Sequence, residues 1–139
     1  MVGALLTEIM ERTGTPVFHF DLAQTEARLE CFIRDGKYIV AIAATGDQTP
    51  VGFICLYESH ALYAEGSFGT IAEFYVCPSY RSQKVGKALL AEARSLGNAR
   101  GWSRLEVTTP PLPPFGRTLA FYEREGFAVT GGRKLKTIL

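Results

Sequence analysis

The sequence has 139 residues, of which 47% are apolar and 21% charged, and its formal net charge at pH 7 is +1. This length and composition are typical of a globular protein with its own hydrophobic core, so we expect residues 1–139 to form a single domain. The nearly neutral charge argues against a nucleic-acid partner. No apolar run reaches the roughly 18 residues of a membrane span, so we expect no membrane contact.

The cysteines and histidines point away from disulfides and metals. Cys31, Cys55 and Cys77 are odd in number, widely separated and outside any CxxC motif, which indicates reduced thiols. His19 and His60 do not stand at metal-ligand spacing, so we expect no metal site. The N-terminus lacks the pattern of a signal peptide, and together these features predict a cytoplasmic protein.

Apolar periodicity predicts four helices along the chain. The first carries its apolar stripe at positions 5, 6, 9 and 10 and ends at Gly14. Asp21 is the predicted N-cap of the second, with Gln24 as its capping-box partner. The predicted helices span residues 1–13, 22–35, 85–100 and 116–124.

Runs of β-branched and aromatic residues between turn signals predict six strands. The first two should form an antiparallel hairpin, and Gly131-Gly132 should turn a second hairpin near the C-terminus. A helix separates the third strand from the fourth, so these two should be parallel neighbours with a right-handed crossover. Residues 58–69 read as a long loop. The predicted strands span residues 37–43, 51–57, 70–77, 103–109, 127–130 and 134–139.

A basic, glycine-containing turn at residues 81–87 joins the third strand to the third helix. Free N–H groups and the positive end of a helix dipole make such a turn suitable for an anion. A Walker A loop is a poor match, because Arg81 replaces its first glycine and Ala88 its hydroxyl residue. By spacing alone, a diphosphate site and a solvated surface turn both remain open.

Two segments resemble the signatures of the GNAT family of N-acetyltransferases. Residues 80–90 (YRSQKVGKALL) are similar to its acetyl-coenzyme A signature, Arg/Gln-x-x-Gly-x-Gly/Ala, and residues 120–127 (AFYEREGF) to its second signature. Lys84 stands where the first glycine is usual, and Phe115 where the second signature usually has Asn. The resemblance covers about residues 37–139.

The resemblance implies an α/β (α+β) fold: a mixed, largely antiparallel twisted sheet flanked by helices. Its central parallel strand pair would be splayed to admit the cofactor. The family's first strand is not evident, because residues 1–13 read as helix. A sheet without that strand exposes an edge, and a homodimer is one way to cover it.

The resemblance also implies an acetyl-CoA-dependent N-acetyltransferase that acts on a primary amine of a small molecule or protein, by direct transfer and without a metal. The alternative is a non-catalytic acetyl-CoA-binding sensor or interaction module. The residues expected to bind the cofactor are Tyr75, Val76, Cys77, Arg81, Ser82, Gln83, Lys84, Val85, Gly86, Lys87 and Tyr122.

Two residues are candidates for proton transfer. Glu73 is the candidate base, acting directly or through water, because an alkylammonium must lose a proton before it attacks. Tyr122 matches the family's tyrosine acid. The alternatives are a carboxylate that only attracts substrate and a ring that only packs; Glu106 and His60 are weaker bases. The acidic residues Glu58, Glu65 and Glu73 hint at a cationic acceptor.

Overall fold

The computed structural model describes residues 1–64, 66–131 and 134–139. The helices are α1 (Val2–Thr13), α2 (Leu22–Arg34), α3 (Val85–Ala99) and α4 (Gly116–Arg124). The strands are β1 (Ile39–Ala44), β2 (Pro50–Ala61), β3 (Gly66–Val76) and β4 (Leu105–Val107). Short 3-10 turns lie at Leu62–Ala64 and Pro78–Tyr80. No helix in the described ranges has the length and apolar character needed to cross a membrane.

The four strands form one mixed sheet in the order β1-β2-β3-β4. The first two neighbouring pairs are antiparallel, and β3 and β4 are parallel across the crossover helix α3. The predicted fold class is confirmed. Residues 1–38, all of them described, contain two helices and no strand, so the sheet begins at β1. Asp21 caps α2 as predicted, because its Oδ1 accepts a 2.8 Å hydrogen bond from the Gln24 N–H.

The prediction of a loop at residues 58–69 is wrong. β2 and β3 stay paired from Tyr57 opposite Thr70 as far as Ala61 opposite Gly66. The polar residues that suggested a loop satisfy each other across the strands; the Ser59 and Thr70 hydroxyls, for example, lie 2.8 Å apart. Cross-strand hydroxyl pairs of this kind stabilise a solvent-facing ladder. Glu65 lies outside the described residues.

The predicted strands at 127–130 and 134–139 are also wrong for the residues that the structure describes, which form no ladder there. β4 is only three residues long, so its outer edge offers few backbone groups to pair with. Strand propensity depends on such a partner, and the apolar Val129 and Leu135 therefore stay exposed. Of the predicted Gly131-Gly132 turn, Gly132 lies outside the described residues.

The two faces of the sheet bury different side chains. One face packs on α3 and α4 through a cluster that includes Ile54, Leu56 and Leu90, each at most 1% exposed. The other face is smaller: Phe53, Cys55 and Tyr75 form a cluster against which α1 packs. β3 thus separates a large core from a smaller one under the N-terminal helices.

Candidate active site

A bulge in β3 decides which way the candidate base points. Cys55 pairs with Glu73, but the next residue, Leu56, pairs with Ile71, so Ala72 is an extra residue on β3. Side chains alternate along a strand, and one inserted residue shifts that alternation. As a result Ile71 faces the α3 side, while Glu73 faces the side of α1.

Beyond the bulge, β3 has a free edge. Parallel pairing with β4 runs only from Gly69 opposite Leu105 to Ile71 opposite Val107, whereas β3 continues to Val76. The Cys77 N–H donates to the Val51 carbonyl at 2.9 Å, on the β2 side. Because successive residues of an antiparallel strand point their backbone groups to opposite sides, those of Val76 point to the open edge. The parallel strand pair is therefore splayed, as expected.

The turn that follows β3 presents a run of unused donors. Among the described residues, no group accepts a hydrogen bond from the N–H groups of residues 82–87, and the first intrahelical bond runs from the Ala88 N–H to the Lys84 carbonyl. Ser82 and Lys84 have φ values of 62° and 66°, in the left-handed region. These donors lie at the positive end of the α3 dipole, an arrangement that suits a diphosphate.

Gly86 brings this turn against the second signature segment. A Cβ at Gly86 would lie 3.3 Å from Phe121 and 3.5 Å from Phe74, so only a residue without a side chain leaves those rings in place. The Phe74 and Phe121 rings pack with centroids 5.8 Å apart. The two segments singled out in the sequence therefore meet in space.

Arg81 is held by protein groups. Its Nη1 and Nη2 donate to the two carboxylate oxygens of Glu8 at 2.9 and 2.6 Å, and its Nε donates to the Val76 carbonyl at 2.9 Å. The guanidinium also lies over the Tyr75 ring, 5.5 Å from its centroid. These contacts fix the end of β3, and they leave the Val76 N–H as the backbone donor on the open edge.

Glu73 is half-buried between the Tyr38 hydroxyl and the Cys55 thiol, and its Oε2 has no hydrogen-bond partner in the described structure. Burial raises the pKa of Glu73, and the neighbouring thiol and hydroxyl offset part of that rise. Burial and the Glu73 charge raise the pKa of Cys55 to about 12. Cys55 is therefore a neutral thiol, which makes it a poor nucleophile.

Tyr122 lies on the opposite face of β3, in the main core. It is 4% exposed and packs against the rings of Phe74, Phe121 and Phe127, with centroids 5.1–6.1 Å away. Burial raises its pKa above the ordinary tyrosine value, so the hydroxyl holds its proton at neutral pH. Glu73 and Tyr122 thus flank the open edge of β3 from its two sides.

The remaining candidates have partners elsewhere. Gln83 Nε2 donates to the Ser79 carbonyl at 2.8 Å, and Glu106 accepts from Arg104 at 2.7 Å, as a paired strand charge would. His60 lies 3.4 Å from Glu58. In the described ranges, no group of three or more His, Cys, Asp or Glu side chains is placed to share a metal ion.

Sequence reasoning missed three residues that shape the site: Glu8, Tyr38 and Cys55. Tyr38 and Cys55 could have been found from strand alternation, had the β1–β2 register and the bulge at Ala72 been known. Glu8 carries no such signal, because it contacts Arg81 from a helix 73 residues away.

Comparison with known proteins agrees with this geometry. The family model described as "Acetyltransferase (GNAT) domain" matches residues 34–129, more than half of the chain. The protein therefore belongs to the GNAT acetyltransferase family. No curated protein matches the sequence.

Solved structures share the fold over nearly the whole chain. A probable acetyltransferase has a TM-score of 0.75 and 21% identity, and the alignment covers 99% of this chain and 89% of that one. The ribosomal-protein-alanine N-acetyltransferase from Brucella melitensis biovar Abortus 2308 has a TM-score of 0.69 and 21% identity, over 97% and 89%. An aminoglycoside acetyltransferase from an uncultured soil metagenomic sample has a TM-score of 0.73 and 17% identity, over 99% and 88%.

Proposed function

We propose that this protein transfers an acetyl group from acetyl-CoA to a primary amine of a small molecule or protein. The observation that carries the proposal is the free edge of β3 at residues 72–76, next to the unused N–H groups of residues 82–87. A splayed strand end can pair with an extended amide-bearing arm, and a run of N–H groups can hold a diphosphate. Coenzyme A contains both groups.

The residues proposed to hold the cofactor divide into two sets. The N–H groups from Ser82 to Lys87 would bind the diphosphate, with the lysines adding positive charge. Tyr75, Val76 and Cys77 would lie along the arm, where the free backbone groups of Val76 are available. Bound acetyl-CoA supplies the acetyl group as an activated thioester.

The proposed chemistry forms a nitrogen–carbon bond and breaks the carbon–sulfur bond, without an acyl-enzyme. Glu73 takes the proton of the ammonium through a water molecule, and the raised pKa that its burial causes makes it a better base. The Val76 N–H donates toward the oxygen on which negative charge develops. Tyr122, protonated at neutral pH, donates its proton to the leaving sulfur.

Both acceptor classes stay in the proposal. One protein of similar fold is a ribosomal-protein-alanine N-acetyltransferase and another is an aminoglycoside acetyltransferase, so this fold is compatible with protein and small-molecule amines. The half-buried carboxylate of Glu73 favours an acceptor that arrives as a cation.

Thiol release from acetyl-CoA, measured with a mixed panel of primary amines, tests the proposal. We expect release above the amine-free background, and a loss of that release in Glu73→Gln with cofactor affinity unchanged. Tight acetyl-CoA binding without release for any amine would instead support the non-catalytic sensor or interaction module.

We further propose that residues 1–139 act as one cytoplasmic domain that needs no metal, and that two copies associate. The free cysteines Cys31, Cys55 and Cys77 suit a reducing compartment. The outer edge of β1 is open for pairing in a sheet that starts at β1. Light scattering gives the mass in solution, and activity that survives EDTA would agree with metal independence.

A further inference from the structure

A cavity of about 580 Å³ opens where the end of α2, the segment before β1 and the far half of β2 meet. This volume lies within the range of small-molecule sites, roughly 300–1,000 Å³. The residues that line the cavity are Phe32, Gly36, Lys37, Tyr38, Tyr57, Glu58, His60 and Arg100.

Three aromatic rings form one wall of the cavity. Tyr38 and Tyr57 are nearly parallel, with an interplanar angle of 11° and centroids 6.1 Å apart, and Phe32 tilts against Tyr38 at 5.2 Å. Phe32 and Tyr57 are each more than a third exposed, although large aromatic side chains are usually well covered. This wall therefore offers ring faces on which another planar group can stack.

Tyr38 connects the wall to the proposed base. Its ring lines the cavity, and its hydroxyl lies beside the Glu73 carboxyl. The unpartnered Glu73 Oε2 faces the same side of the sheet. An amine that reaches Glu73 from this side passes along the three rings.

The charged residues around the cavity already have partners in the protein. Lys37 Nζ lies 3.3 Å from Asp35, and Glu58 accepts from the Trp102 indole at 2.6 Å and lies 3.4 Å from His60. No charge of one sign dominates the rim, so stacking and apolar burial distinguish one acceptor from another. We propose that Phe32, Tyr38 and Tyr57 bind the aromatic part of the acceptor, and that the acceptor is a primary amine carrying an aromatic ring; this inference rests on the proposed acetyl transfer.

A matched pair of amines tests the inference: 2-phenylethylamine and n-propylamine share the ethylammonium group and differ in the ring. Burial of a ring on this wall should lower KM for 2-phenylethylamine by about tenfold or more. Tyr57→Ala should remove that advantage and leave n-propylamine unchanged, and Tyr57→Phe should retain it. Tyr63→Ala, which removes an exposed ring outside this cavity, is the matched control.

Equal KM values for the two amines, or an equal loss for both in Tyr57→Ala, would overturn the inference while acetyl transfer stands. If no amine is acetylated, the proposed function fails and direct binding decides the role of the cavity. Calorimetric titration of 2-phenylethylamine should then show binding to the unmodified protein that is at least about tenfold weaker in Tyr57→Ala. Absence of binding, or equal binding to both proteins, would reject the aromatic site.

Discussion

Glu8 and Arg81, 73 residues apart in the sequence, form a two-bond ion pair with distances of 2.9 and 2.6 Å. The pair joins the middle of α1 to the turn after β3. Since the same guanidinium donates to the Val76 carbonyl, α1 is coupled through one side chain to the strand end beside the proposed cofactor site. The N-terminal helix thus helps to shape a site to which it contributes no proposed catalytic group.

Glu8→Gln should therefore lower the free energy of unfolding at pH 7 by about 1 kcal/mol, because it weakens a partly exposed bidentate pair. The hydrogen bond from Arg81 lowers the pKa of Glu8, so its contribution is full above the unfolded pKa of about 4.3 and is lost as pH falls through the lower folded value. Urea denaturation at pH 7 and pH 3 should show the difference shrinking in acid. Glu11→Gln, an exposed change on the same helix, should have little effect at either pH; a pH-independent loss in Glu8→Gln would contradict the ion-pair account.

Arg81→Ala separates a positioning role from direct phosphate binding. Because the guanidinium donates to Glu8 and Val76, we expect affinity for coenzyme A and for acetyl-pantetheine to fall by similar factors, as the end of β3 loosens. Binding of both ligands can be measured by calorimetry. A loss confined to coenzyme A would show instead that Arg81 acts on the phosphates.

Lys84→Gly tests the backbone of the turn. Lys84 has φ 66°, a conformation that costs a residue with a Cβ about 1 kcal/mol and costs glycine almost nothing. The substitution should raise the free energy of unfolding by about 0.5–1 kcal/mol, measured by urea denaturation. Lys87→Gly removes a lysine from the same turn but lies within α3, so it should lower stability by a similar amount. Destabilisation by both changes would show that the Lys84 side chain has a structural role.

The strain at Lys84 also explains part of what the sequence could predict. The glycine usual at that position matches a left-handed backbone, so the signature carries structural information even where this chain departs from it. The helices, the parallel crossover and the place of the turn followed from periodicity and glycine positions. These are local properties, which the order of the residues encodes directly.

The features that escaped prediction depend on partners distant in sequence. Ser59 and Thr70 read as loop residues until their hydroxyls are seen to pair across two strands. The bulge at Ala72, which turns Glu73 toward Tyr38, results from the β2–β3 register and has no residue signal of its own. The last two strands were predicted from propensity, but β4 pairs along only three residues and supports no ladder for them.

Glu73→Gln should affect stability and activity in opposite directions. Burial raises the pKa of Glu73, so the folded protein favours the neutral form, and stability falls as pH rises from the unfolded pKa through the higher folded one. The amide carries no such penalty, so the variant should have a higher Tm at pH 8. It should also lose about 10²-fold or more in kcat, together with the acidic limb of the pH–rate profile. Glu106→Gln, a surface carboxylate paired with Arg104, is the control, and an unchanged acidic limb in Glu73→Gln would exclude the base role.

Tyr122→Phe isolates the proposed acid from its packing. The ring is buried among Phe74, Phe121 and Phe127, so phenylalanine should fill the same volume with little change in Tm. Loss of the hydroxyl proton should lower kcat by about 10²-fold or more and leave the Kd for acetyl-CoA within a few fold. Tyr80→Phe, on the 3-10 turn before Arg81, removes a tyrosine hydroxyl from the neighbourhood without touching that core. Pre-steady-state measurement of thiol release in the two variants compares the chemical step directly. A fall in cofactor affinity at constant kcat would assign the Tyr122 hydroxyl to binding and leave the leaving thiolate to be protonated by solvent.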